Sequence, residues 1–124
     1  MRKPALVVAA VMALAACATG SADSPRYNAD RISRVEVDQA GPSSAYDLVQ
    51  KLRPIWLRKR GSTSFTQEGD IVIYLDGTRM GDRESLRTIH TANVETLEFL
   101  DARRATARLG AGHVNGAILI TTRG

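Results

Sequence analysis

The chain has 124 residues, 17 basic and 13 acidic, a formal net charge of +4, one cysteine and two histidines. That length allows one small domain; the single cysteine excludes an internal disulfide, and with two histidines it supplies no zinc-ligand spacing. There is no Gly-x-Ser-x-Gly elbow, Walker-type phosphate loop or paired His-Glu metal motif, so no catalytic site and no metal are expected.

Residues 1–16 read as a signal peptide, with a basic start at Met1-Arg2-Lys3 followed by a small-apolar run from Pro4 to Ala16. The run is too short to span a bilayer, which takes ~20 apolar residues in helix. Leu14-Ala15-Ala16-Cys17 is similar to the lipobox of bacterial lipoprotein precursors. The resemblance implies cleavage before Cys17, a diacylglycerol on its thiol and acylation of the new amine. The alternative is an ordinary secretory peptide with an incidental cysteine. Beyond the covalent lipid no cofactor is expected. In the lipoprotein pattern an Asp after the cysteine favours the inner membrane; Ala18 stands there, which points to the outer membrane. Removing residues 1–16 takes Arg2 and Lys3 away and lowers the net charge from +4 to about +2. The basic balance therefore gives no reason to expect nucleic acid as a partner.

Residues 17–31 read as a lipidated, flexible tether of small and polar residues, and the domain as 32–124. Val35 and Val37 alternate with polar neighbours like a short strand, an ambiguous signal over so few residues. Residues 44–52 predict a helix capped by Ser43 or Ser44, with Asp47 in its first turn and an apolar stripe of Ala45, Leu48, Val49 and Leu52. Pro54 ends it, and Ile55-Trp56-Leu57 forms an apolar knot before Arg58-Lys59-Arg60. Residues 71–75 are a continuous β-branched run, as in a central strand. Asp76-Gly77 is a tight-turn signal, Thr78–Met80 a returning strand, and Asp82 the cap of a short helix carrying Leu86 and Ile89. A strand over 96–100 leads to a helix capped by Asp101, whose buried face is predicted as Ala102, Ala105, Thr106 and Leu109, ended by Gly110. Residues 117–122 form a last strand, predicted to be buried on both faces. The order fits an α/β (α+β) fold, a small mixed sheet packed with two to three helices.

Four collinear pieces resemble the plug domain of TonB-dependent outer-membrane receptors: VDQAGPSSAYDLVQKLR from Val37, IVIYLDG from Ile71, NVETLEFL from Asn93 and GAGHVNGAILITTRG from Gly110. The resemblance implies the plug's fold and, with it, a surface for a ligand or partner. In the receptors a β-barrel follows and a TonB box precedes the plug. Neither pattern is found here, so a docking role is expected rather than the gating of an attached pore. The reading is of a non-catalytic, membrane-anchored interaction module in the cell envelope, on the periplasmic face, with an envelope protein as partner. The alternative is a lipoprotein that binds a small ligand or glycan.

Two stretches are candidates for binding. Gly110, Gly112, Asn115 and Gly116 are able to form a nest of backbone N–H groups for an anion, or simply to supply the backbone angles that join helix to strand. His113 sits in the same turn and is a candidate with Gly110, Gly112 and Asn115. Arg58, Lys59 and Arg60, grouped with Arg53, are either a basic face for phosphate-bearing lipid or an acidic partner, or a solvated surface. Arg103, Arg104 and Arg108 form a second basic face with the same two readings. Asp76, Gly77 and Gly116 are expected to act structurally, with Asp76 bonding its own turn backbone, and Trp56 to anchor the core.

Overall fold

In the computed structural model, which describes residues 26–58 and 70–124, two aliphatic strands run parallel at the centre of a five-stranded mixed sheet. They are β2 (Val72–Leu75) and β5 (Ala117–Thr122), paired from Val72↔Ala117 to Leu75↔Ile120. Strand β4 (Val94–Leu100) pairs antiparallel with β5, and the two-residue β1 (Arg31–Ile32) with β4. Strand β3 (Thr78–Gly81) returns from β2 through Asp76 and Gly77, whose φ values of 48° and 84° suit a hairpin turn. The order across the sheet is β1-β4-β5-β2-β3.

One face carries the main core. Ile32, Leu97, Phe99, Ile118, Ile120 and Ile73 point from the strands toward α1 (Arg34–Ala40), α2 (Ala45–Leu52) and two 3₁₀ turns, Pro54–Leu57 and Arg83–Thr88. Helix α2 starts where predicted, with the Ser44 hydroxyl accepting from the Asp47 N–H, and buries Ala45, Leu48 and Val49. Leu48 and Val49 each contribute roughly 1.5–3 kcal/mol by leaving water. Trp56 is buried, stacks on Phe99 at 5.7 Å and donates Nε1–H to the Ala29 carbonyl. Asp82 caps the 3₁₀ turn that buries Leu86. The plain expectation of a mixed sheet packed with helices therefore holds.

Several local expectations change. The alternating Val35 and Val37 lie in helix α1, not in a strand, because Ser33 and Glu36 form a reciprocal capping box. Val37 turns into the core while Val35 stays 44% exposed. The start of the domain also moves. Asn28, Ala29 and Asp30, assigned to the tether, are bonded into the fold through Arg53, Trp56 and the Phe99 N–H. On the other sheet face, α3 (Ala102–Leu109) starts at the predicted Asp101 cap but fully buries only Ala105; Ala102 and Leu109 are half-buried and Thr106 is exposed.

Helix α3 packs on Leu100 and Ala117, with Leu119 and Tyr74 half-buried against the same cluster. Among the described residues, cover thins toward Thr121 and Arg79, which are exposed, so β5 is not buried on both sides throughout. The strand registers line up one row across this partly open face, Arg31–Glu98–Leu119–Tyr74–Arg79, with one residue from every strand. Four strand spacings make the row ~19 Å wide.

Candidate functional site

The turn from α3 to β5 depends on glycine. Gly110, Gly112 and Gly116 have φ values of 94°, 95° and 86°. At Gly116 an added Cβ would run into the Leu100 carbonyl oxygen, so the chain passes β4 only without a side chain there. The Gly116 carbonyl accepts from the Val72 N–H, which ties the turn to β2.

His113 faces inward and is 2% exposed. Its Nδ1 lies 2.8 Å from the Gly110 carbonyl oxygen and its Nε2 2.7 Å from the Tyr74 hydroxyl. A carbonyl only accepts, so Nδ1 carries a proton, and in the neutral ring Nε2 accepts from the Tyr74 O–H. Both ring nitrogens are thus engaged in holding the turn against the sheet. His113 belongs to the turn's scaffold, a correction to its candidacy as a contact residue. Gly110 and Gly112 are exposed and Asn115 is half-buried.

Gly112 opens onto a surface cavity of about 350 Å³ lined also by Asp70, Ile71, Val72, Arg79, Gly81 and Asp82. Arg79 ends the open-face row, so row and cavity adjoin. Arg83 Nε contacts both oxygens of Asp70, at 3.1 and 2.9 Å, and Nη1 donates to the Leu57 carbonyl at 2.9 Å. The Asp70 carboxylate holds the Arg83 guanidinium above its ordinary range despite partial burial. Arg83 therefore fastens both sides of the 58–69 connection.

The basic cluster separates. Arg58 is exposed, follows the 3₁₀ turn Pro54–Leu57 and does not line the cavity; Lys59 and Arg60, like Cys17, lie outside the described residues. Arg53 is 3% exposed, which removes it from any surface cluster. Its guanidinium meets Glu36 Oε1 at 2.7 Å and donates to the carbonyls of Asn28, Arg31 and Leu52. Burial alone would raise the Glu36 carboxyl, but the Ser33 N–H, the Arg53 guanidinium and the Ser33 hydroxyl outweigh it and hold the group below its ordinary value. The second basic face is largely neutralised: Arg104 pairs with Asp30 and Asp101, and Arg108 lies 3.5 Å from Glu98.

The expectation that Asp76 bonds its own turn backbone is corrected: its partner lies across the sheet. Its carboxylate accepts from the N–H and hydroxyl of Thr122. A second groove, of about 220 Å³, runs between Val37, Gly41, Pro42, Thr91 and Ala92 and is rimmed by the Asp38–Arg123 ion pair. No sequence motif marked it. Among the described residues no group of three His, Cys, Asp or Glu side chains is placed to hold a metal ion, and no helix is long and apolar enough to cross a membrane. A scan against protein-family models finds no match, and comparisons with curated proteins and with solved structures find none either.

Proposed function

We propose that this protein is a lipid-anchored, plug-like docking module of the cell envelope that works without catalysis. The observation that carries the reading is the row Arg31–Glu98–Leu119–Tyr74–Arg79, a sheet face only partly covered by α3 and the 110–116 turn, with a half-buried apolar and aromatic centre and exposed arginines at both margins. Aromatic and arginine side chains around an apolar centre are the composition on which protein–protein contacts concentrate their binding energy. The lipobox-like Leu14-Ala15-Ala16-Cys17 supports the anchor, with Ala18 favouring the outer membrane.

A cross-linking pull-down from intact envelopes tests the docking role. Wild type is expected to recover one envelope protein reproducibly, and Leu119→Glu, at the middle of the row, to lose it. Because Leu119 packs partly on the Ala105 cluster, Thr121→Arg, exposed on the same face, is expected to lose it too with an unchanged melting temperature. Recovery unaffected by Leu119→Glu contradicts the role of this face. The anchor is tested separately by Cys17→Ser, which is expected to shift the protein from the membrane to the soluble fraction.

The cavity beside Gly112 favours a second reading, a small polar ligand or glycan held by Arg79 and Asp82. Saturable sugar or siderophore binding that is lost in Arg79→Ala, with no protein partner recovered, would put this reading first.

A further inference from the structure

The place where the chain enters the fold carries a patch that the open sheet face does not include. Tyr27 is 73% exposed and Ile55 54% exposed, two of the largest apolar surfaces among the described residues. They share one neighbourhood. The Arg53 guanidinium lies 4.3 Å from the centre of the Tyr27 ring, Ile55 follows Arg53 by two positions, and the next residue, Trp56, is bonded to Ala29. Arg53 is itself buried and immobilised by Glu36 and three backbone carbonyls, so it supports the Tyr27 ring from below and leaves the other ring face outward.

Arg26 and Arg58 bracket this pair in sequence, and both are exposed. Neither has an ion pair among the described residues, and Glu36 and Asp30 are committed to Arg53 and Arg104. The patch is thus apolar at its centre and positive at its margin. About ten residues separate Tyr27 from Cys17, a reach of at most ~35 Å.

From this arrangement we infer that Arg26, Tyr27, Ile55 and Arg58 form a membrane-contact surface that seats the domain on a bilayer carrying anionic phosphate headgroups. It rests on the docking reading above in one respect, the anchor at Cys17, which brings the patch within reach of the bilayer. Tyrosine suits the boundary between headgroups and acyl chains, Ile55 adds apolar area, and the two arginines meet phosphate. A domain seated in this way has a fixed orientation, and the open sheet face is presented to partners from a defined side.

The test uses the full chain with Cys17→Ser, so that no acyl chain contributes and residues 1–16 are common to every variant. Co-sedimentation is measured with vesicles of phosphatidylcholine alone and of phosphatidylcholine with phosphatidylglycerol. Binding is expected on the anionic vesicles, with a loss of roughly tenfold or more in Arg26→Glu/Arg58→Glu. A clear loss is also expected in Tyr27→Ser/Ile55→Ser, and a change within about twofold in the control Arg87→Glu/Arg103→Glu, which removes the same charge elsewhere. All the substituted side chains are exposed, and unchanged melting temperatures verify the fold.

Absence of binding, or equal loss in the patch and control pairs, overturns the inference. Vesicle binding that survives Arg26→Glu/Arg58→Glu while an envelope-protein cross-link is lost also overturns it, and assigns the patch to a protein. Because Cys17 is already replaced, a failure of the lipid anchor leaves these outcomes intact and is read from the fractionation experiment alone.

Discussion

Asp76 and Thr122 clip the first hairpin to the end of the last strand. Thr122 donates its backbone N–H to Asp76 Oδ1 at 2.9 Å and its hydroxyl to Oδ2. The two residues are 46 positions apart, so this contact closes the central parallel pair β2–β5 at one end, where the Asp76 N–H also bonds the Ile120 carbonyl.

This clip makes stability pH-dependent in a defined direction. The Thr122 hydroxyl and N–H hold the Asp76 carboxyl below its ordinary value. A group with a depressed folded-state pKa contributes stability that is present above its unfolded pKa and lost as pH falls through the folded one. Asp76→Asn, which tolerates the positive φ and keeps an acceptor, is expected to lower the melting temperature at neutral pH. The difference from wild type should shrink progressively below about pH 4. A difference that stays constant down to strongly acid pH contradicts the charged clip.

Gly116 and Gly112 separate two uses of glycine. Both have positive φ, but a Cβ meets nothing within 4 Å at Gly112, while at Gly116 it meets the Leu100 carbonyl. Gly112→Ala is expected to cost about 1–2 kcal/mol; Gly116→Ala, which adds the clash, about 3 kcal/mol or more. Urea unfolding of the two variants measures the gap, and equal losses would mean that β4 does not pass the turn as described.

Arg53 is buried and its partner Glu36 half-buried, so separating the pair leaves the guanidinium charge buried without its partner. Glu36→Gln is expected to destabilise by about 3 kcal/mol, and Arg53→Met by as much or more because three carbonyls also lose a donor. A double-mutant cycle should give a coupling energy well above the ~0–1 kcal/mol of exposed pairs.

Tyr74→Phe removes the hydroxyl that reaches His113 Nε2 and leaves that nitrogen buried without a partner. The expected cost is about 1–3 kcal/mol. Hydrogen exchange in residues 110–116 should rise if the pair holds the turn, and a purely global destabilisation would leave no such local excess.

Much of the fold was legible because its signals are local. Ser44 and Asp101 cap the helices that follow them, Val72–Leu75 form a central strand within the predicted 71–75 run, and Asp76-Gly77 turns the chain. Local signals also misled where two periods compete. Val35 and Val37 alternate like a strand, but the box between Ser33 and Glu36 makes the segment helical. The site was less legible because its contacts are long-range. Nothing beside Arg53 shows that it will meet Glu36 and the carbonyl of Asn28, and nothing beside His113 points to Tyr74, 39 positions away. The open-face row could not be read at all, since it exists only once five strands take their registers.

The docking role of that row is tested most directly by a photoreactive amino acid placed at Thr121, which is exposed on β5 two residues beyond Leu119, with the same label at Glu84 in the 3₁₀ turn on the core side as control. Irradiated in intact envelopes, the Thr121 label should yield one discrete adduct that the Glu84 label does not. No adduct from Thr121, or the same adducts from both positions, would contradict a docking surface on this face.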